Sequence, residues 1–499
     1  MASPFPGLKA TERLGLAAIG LALALMAIRL ATTLFTPEPT QVLTSGAEFE
    51  SLYVVWKVVH GLPAYADQTR IPFAGTYYNW AYYALYGGIA KAAIALFGLS
   101  DFWIPLICKL VTITGVATGL GLCLSLGRRL VGPLPRGLDL TVASLWLLVF
   151  LGPLMGFWAM STAPDIWALT LDAASVLGFI ALYDRSPRRA VLLFIALAYL
   201  AWSFKQVFVY SMGGVGLYLL LRRDWLGAAL LALGMPALWA ATLGLGSPDF
   251  ARMVFFGGSQ IQLVPAQFLR NAANFAVKSA PLILGALAVA ALLLRQGWRE
   301  VLERPVLAVP LLGGLVAAVL AGTASAKLGA AENYFFTLSF HLALFLAAGL
   351  AAMARAGTVT RPVRAALALG WLLTGLALTA PFLGISGTPT VRQMHHAQVS
   401  TARCIGPQPG PVYVASAALA LPWLVPSDPA FVLHWNYPLD HKAGVVMEGG
   451  GVEGLVASGY FATLVLNQGE DAVFGTPIGL RYTAGKICNG MVIHHRKEG

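Results

Sequence analysis

The sequence predicts a polytopic α-helical membrane protein closed by one small C-terminal α/β domain, and three observations carry that prediction. Hydrophobic residues make up 58% of the 499 residues and charged residues only 11%, with a mean hydropathy of +0.72. There is too little polar surface to cover a water-soluble globule. Apolar runs long enough to cross a hydrocarbon layer about 30 Å thick recur from Leu14 to about residue 383. The composition then returns to that of a soluble protein, which places a membrane domain at residues 1–384 and a soluble domain at residues 385–499.

Basic residues set the topology, because Lys and Arg in short loops stay on the cytoplasmic side. Lys9 and Arg13 precede the first span, Leu14 to Phe35, and later clusters fall at Arg128, Arg129 and Arg136, at Arg185, Arg188 and Arg189, at Arg222 and Arg223, at Arg295, Arg299 and Arg304, and at Arg355, Arg361 and Arg364. Neighbouring clusters bracket enough apolar sequence to go out and return, giving about eleven spans with the N-terminus inside and the C-terminal domain outside. The first run is too long for a signal peptide, contains Arg29 and lacks a small-residue cleavage site, so it is expected to remain as a span. Residues 77–97 are long enough to cross, but counting them would reverse the side of every later cluster. Their crowd of Tyr and Trp suits a helix at the outer interface. The formal charge of +11 is used up in these loops, and no clustered basic and aromatic surface for nucleic acid is present.

The tail alternates short β-type runs, "PVYVAS", "AFVLHW" and "ATLVLN", with a helical "GVEGLVASGYF". Cys404 and Cys488 lie in this outer domain and are expected to pair, whereas Cys108 and Cys123 lie in an apolar run and read as buried packing residues. The paired His395, His396, His494 and His495 lack metal-ligand spacing, so a divalent metal remains open but is not indicated.

Sorted by side, the ionisable residues near the membrane converge on the outer face, where each is expensive and therefore a candidate for function. Glu48, Glu50, Asp67 and Arg70 lie in the first outer loop, and Asp165 opens a span in "STAPDIWALTLDAASV". Lys205 and Gln206 sit at a break between two spans, and Lys327, Glu332, Asn333 and Tyr334 lie in "SAKLGAAENYFF". Plainer roles stand beside these. Ser45 and Glu48 fit the S-x-x-E capping box, Asp165 suits the positive end of a helix dipole, Arg29 and both lysines suit snorkelling, and Asp172, two turns below Asp165, needs a partner. On a helix, Glu48 and Glu50 point about 200° apart and cannot both face one substrate. Phe49, Leu52, Tyr53 and Trp56 form an apolar stripe that would lay this helix on the membrane, leaving Glu50 and Lys57 on the solvated face.

These residues carry a resemblance. The order "Glu48-Phe49-Glu50", then "W-K-V-V-H-G-L-P-A-Y-A-D" with Gly61, Tyr65 and Asp67, then an aromatic "T-Y-Y-N-W" helix, resembles the first loop of the GT-C superfamily, and within it the bacterial relatives of dolichyl-phosphate-mannose protein mannosyltransferases. The later "A-P-D", "F-K-Q" and "A-E-N-Y-F" elements are similar as well. Ala47 stands where the acidic pair's Asp would fall. The resemblance implies a multi-pass protein of the bacterial inner membrane with a periplasm-facing site, and an inverting transfer of sugar from a polyprenyl-phosphate donor to a glycan, lipid or protein acceptor. A carboxylate would then take the acceptor's proton, Glu48 first, with Glu50 or Asp165 in reserve. Lys205 and Lys327, with Arg70 or Arg29, would hold the departing phosphate, Asn79, Glu332, Asn333 and Tyr334 would hold sugar hydroxyls, and Gln206 is a further substrate-binding candidate.

Two other classes fit a many-span chain. A flippase or transporter should gather polar groups at the midplane in broken, repeated helices, whereas only Asp172 lies there and no repeat is evident. A lipid-linked glycan ligase or polymerase depends on a basic outer loop, and residues 246–280 hold only Arg252, Arg270 and Lys278. The topology is tested by a C-terminal reporter, which should be active in the periplasm; cytoplasmic activity would invert the assignment.

Overall fold

The computed structural model describes residues 9–34, 47–150, 158–159, 161–256, 262–358, 367, 369–370, 372 and 388–497. Long apolar stretches form the bundle, two of them with a proline inside the helix, Pro236 and Pro310, since every backbone polar group within lipid must be satisfied inside the protein. α1 (Ala10–Leu34) is followed by α2 (Ala47–Val59), α3 (Trp80–Phe97), α4 (Ile104–Leu122), α5 (Arg128–Val131) and α6 (Arg136–Phe150). Next come α7 (Asp165–Tyr183), α8 (Pro187–Phe204), α9 (Tyr210–Leu221), α10 (Trp225–Leu245) and the short α11 (Pro248–Val254). α12 (Pro265–Lys278), α13 (Ala280–Glu303), α14 (Pro305–Ala324) and α15 (Phe336–Arg355) complete the membrane part.

Seven helices among the described residues are long and apolar enough to cross a membrane, Asp101–Val131 counting as one through α4 and α5. α12 and the start of α13 form a broken pair bent by 77° that adds an eighth. α9 is a shorter apolar helix, and α6 runs to the edge of the described residues. Most of the apolar run that ends near residue 383 lies outside them, as does the expected domain boundary at residue 384. α3 is not among the crossing helices, in keeping with the interfacial expectation.

The C-terminal domain begins on α16 (Thr388–Ile405) and contains a four-stranded sheet of order β1-β2-β6-β5, with β1 (Val412–Val414) parallel to β2 (Thr463–Asn467) and β6 (Met491–Arg496) antiparallel to β2 and β5 (Tyr482–Cys488). β3 (Ala472–Val473) and β4 (Thr476–Pro477) pair separately. α17 (Tyr437–Lys442) and α18 (Gly451–Ser458) flank the sheet. The β5–β6 hairpin turns at Asn489 and Gly490, both at positive φ, the conformation that two-residue hairpin turns demand.

Two sequence expectations change. "AFVLHW" is no strand, because its backbone donors leave the sheet: His434 N–H bonds Phe73 O at 3.3 Å and Trp435 N–H bonds the Glu50 carboxylate. α2 does not lie on the membrane with one solvated face. Phe49, Leu52 and Tyr53 on one side and Glu50 and Lys57 on the other are all buried, since α3 packs against the helix and the Tyr53 hydroxyl donates to Ala430 O in the C-terminal domain at 3.3 Å.

Cys404 and Cys488 are disulfide-bonded, tying the end of α16 to the end of β5 across 84 residues of sequence. Replacing both by Ser should cost the C-terminal domain about 2–5 kcal/mol, measured as a lower unfolding temperature and faster proteolysis of that domain, with the bundle intact.

Candidate active site

A cavity of about 270 Å³ opens where one end of the helix bundle meets the C-terminal domain. Glu50 and Ser51 of α2, Tyr77 and Tyr78 ahead of α3, Lys205 and Gln206, Lys327, Tyr334, and Trp435 with Asn436 all line it. These residues come from five separated parts of the chain.

Lys205 forms its floor. α8 ends at Phe204 and the backbone turns extended at Lys205 (φ −150°, ψ 125°) before α9 begins, so the side chain projects from a break instead of a helix flank. It is 7% exposed, and its Nζ donates to Asp165 Oδ1 at 2.7 Å. Asn333 Nδ2 donates to the same oxygen at 2.9 Å. Rings of Tyr78, Tyr334 and Trp158 surround the ammonium at 5.6, 5.5 and 6.0 Å, a cation–π cage that stabilises charge away from water. Asp165 opens α7 with no capping bond of its own, and its Oδ2 is buried with no hydrogen-bond partner among the described residues. It does not line the cavity; it holds Lys205 in place.

The two acids of α2 diverge as helical geometry requires. Glu48 turns into the protein, where Oε1 accepts the Thr162 N–H at 2.7 Å and the Thr162 hydroxyl at 3.2 Å, fastening the loop that leads to Asp165. Glu48, the first choice of base from the sequence, does not line the cavity, whereas Glu50 does. Ser45, the other half of the capping box, lies outside the described residues, as does the side chain of Arg29. Glu50 faces the cavity and accepts the Trp435 N–H. Burial pushes its carboxyl up to about 8, with the Trp435 N–H pulling the other way.

The remaining candidates divide. Lys327 is half-buried on the cavity wall and has no carboxylate within ion-pair distance among the described residues. Gln206 lines the cavity and donates to Tyr77 O at 2.8 Å. Glu332 is drawn off to Lys278, Asn79 is a fully buried cap that accepts the Trp80 N–H at 2.8 Å and donates to Trp202 O at 3.1 Å, and Arg70 is exposed outside the cavity. Asp67 binds Arg252 and Thr69, tying the first outer loop to α11. Among the described residues no three His, Cys, Asp or Glu side chains gather to hold a metal ion.

No family model and no curated protein sequence matches the chain. A solved structure does: the crystal structure of ArnT from Cupriavidus metallidurans bound to undecaprenyl phosphate, 14% identical, covers 97% of this chain and 98% of its own at a TM-score of 0.57. That likeness is one of fold, over nearly the whole of both chains. The archaeal oligosaccharyltransferase AglB from Archaeoglobus fulgidus, solved in complex with an inhibitory peptide and a dolichol-phosphate, is 11% identical over 90% of this chain and 69% of its own, at a TM-score of 0.48.

In this chain the wall contributed by the C-terminal domain is what sequence inspection missed. Tyr77, on the cavity, bonds His434 Nδ1 at 2.8 Å, and Gln68, next to it, donates to Asp440 at 3.0 Å. Burial holds His434 far down, at about 3, so this contact is made by a neutral imidazole. The one available signal is Gly75, where a Cβ would fall 2.6 Å from His434 Cβ, so only glycine permits the approach.

Because Glu50 is held protonated by burial, its ordinary carboxylate range lying near 4.5 and its folded value near 8, the unfolded chain releases this proton first as pH rises. The contribution to stability is full below about 4.5 and is lost up to about 8. Thermal unfolding in detergent across that range should show a decline with pH that Glu50→Gln flattens; an unchanged slope in the variant would place the titration elsewhere.

Proposed function

We propose that this chain transfers a sugar from a polyprenyl-phosphate donor to an acceptor hydroxyl in the periplasm, with Glu50 as general base. The observation that carries the reading is the cavity itself, in which one buried carboxylate shares a wall with two cations, Lys205 and Lys327, at the outer ends of apolar helices. An alcohol is a poor nucleophile until a base takes its proton as the bond forms. A lipid phosphate leaves only if its growing negative charge meets preorganised cations.

In the step itself the acceptor oxygen attacks the anomeric carbon on the face opposite the phosphate. The new C–O bond forms as the bond from the anomeric carbon to phosphate oxygen breaks, the electron pair leaving with the phosphate and the acceptor's proton passing to Glu50. The configuration inverts. Lys205, fixed by Asp165, and Lys327, which has no such partner among the described residues, supply the charge for the leaving group. Tyr78 and Tyr334 offer ring faces to the sugar.

The donor's chain also has a place to lie. On the far side of α11 an apolar groove of about 550 Å³ is lined by Trp80, Tyr199, Leu238, Leu245 and Phe250. Phe250 of α11 lines this groove, while Met253 and Val254, one turn further on, line the cavity. An isoprenoid in the groove would therefore end its phosphate at the cavity. A flippase needs polar groups spread through the membrane depth, whereas here the cations gather at one end.

Purified protein in nanodiscs, supplied with the polyprenyl-phosphate sugar that copurifies with it, should transfer that sugar. Glu50→Gln should lower kcat by at least about 100-fold while undecaprenyl phosphate still binds. The wild-type rate should rise with pH until about 8, where Glu50 ionises. Near-normal transfer by Glu50→Gln would remove Glu50 from the role, and retention of the lipid sugar with no transfer to any acceptor would favour a binding protein.

A further inference from the structure

Below the Lys205 layer, the same elements meet a second time inside the membrane. Asp172 lies seven residues beyond Asp165 on α7, Ser211 six residues beyond Lys205 on α9, and Thr337 and His341 four and eight residues beyond Asn333 on α15. The seven-residue step on α7 returns to one helix face two turns on, and Thr337 and His341, four residues apart on α15, share one face. Two polar layers are thus stacked roughly 10 Å apart by the rise of α7.

The lower layer gathers on one oxygen of its acid. Ser211 Oγ donates to Asp172 Oδ2 at 3.0 Å, Thr337 Oγ1 donates to the same oxygen at 3.3 Å, and His341 Nε2 lies 2.9 Å from Ser211 Oγ. The hydroxyl's single proton goes to Asp172, so the imidazole donates from Nε2 and keeps Nδ1 as a bare acceptor. Nδ1 indeed has no partner among the described residues. All four side chains are at most 2% exposed, and none of them lines the cavity. The transfer chemistry makes no use of them.

The backbone around the layer is shaped to admit it. A Cβ on Gly214 of α9 would fall 2.4 Å from Gly313 Cα of α14, and one on Gly313 would fall 2.3 Å from the His341 ring. Close glycine contacts bring the helices near enough for Ser211 to reach both its partners. An acid at this depth is costly, and apolar side chains would fill the same space. Apolar packing is non-directional, however, and resists sliding of one helix along another only weakly. Hydrogen bonds have short range and preferred angles, so they specify register.

We propose that Asp172, with Ser211, Thr337 and His341, is a positioning layer that sets the axial register of α7, α9 and α15 so that Asp165, Lys205 and Asn333 meet at the cavity. Slipping one helix by a single residue would move its groups by about 1.5 Å and turn them by about 100°, enough to separate the Lys205–Asp165 pair. This inference rests on the proposed function, in that Lys205 is taken to hold the lipid phosphate.

Its test uses the full-length protein in nanodiscs and undecaprenyl phosphate as the probe, with affinity measured for single and double variants. Lys205→Met should weaken binding on the order of 100-fold and Asp172→Leu about 10-fold. Asp172→Asn, which keeps the acceptor oxygen for Ser211 and Thr337, should stay within about 3-fold of wild type. The Asp172→Leu, Lys205→Met pair should bind no more weakly than Lys205→Met alone, because a displaced lysine and an absent one cost the same interaction. If Asp172→Leu does not fold, Ser211→Ala removes one hydroxyl and should show a smaller loss with the same lack of additivity. A merely structural layer would lower the unfolding temperature and leave affinity unchanged, or give losses that multiply, and either result overturns the proposal. Unchanged binding in Lys205→Met would instead overturn the phosphate role of Lys205, and this inference with it.

Discussion

The structure depends on a buried cation held by a single carboxylate. Taking Lys205 and Asp165 out of water costs several kcal/mol per ion, which their attraction offsets only when the geometry is good and remaining valences are filled. Both conditions are visible where the helices end beneath the C-terminal domain. The 2.7 Å contact is shared with Asn333, and three rings enclose the ammonium. Meeting them requires a helix to end at Phe204, another to begin at Asp165, and a short turn ahead of α15 to present Asn333, so the pair dictates where three elements break.

Everything above that pair is built by closure of the C-terminal domain. A bundle end alone would leave Glu50 in water, as an ordinary ionised carboxylate. The residues from Ala430 to Asn436 forgo strand pairing and send their donors into the first outer loop, to Phe73 and Glu50. This removes water from Glu50 and raises its affinity for a proton. The same contact gives the cavity its roof. One segment thereby sets both the shape of the cavity and the protonation of its acid, and a carboxyl poised near neutral pH is what proton abstraction from an alcohol needs.

The two acids of α2 separate what local pattern can say from what it cannot. A period of about 100° per residue was enough to state that Glu48 and Glu50 diverge. Which of them faces a substrate depends on where Thr162 lies, 114 residues away, and Trp435, 385 residues away. Lys205, Gln206, Lys327 and Tyr334 were legible because a polar group next to an apolar span is expensive and therefore conspicuous. Asn79, Glu332 and Arg70 were conspicuous for the same reason, yet the structure employs the first as a cap and the second as an ion-pair partner, and leaves the third in solvent. Expense marks a residue as having a partner without saying whether that partner is the protein or a ligand.

By itself the sequence determined the class of the molecule, the places along the chain where polar groups interrupt apolar helices, the break at Lys205 and the pairing of Cys404 with Cys488. These follow from hydropathy, charge bias, helical period and compartment, all of which act over a few turns of chain or on composition. Tertiary structure alone decided that Glu50 and not Glu48 reaches the cavity, that Asp165 serves Lys205, that Trp435 and His434 close the site, and that Asp172 heads a second polar layer. Each of these is a contact between segments far apart in sequence. Its energy depends on distance and direction in space, which no local pattern encodes.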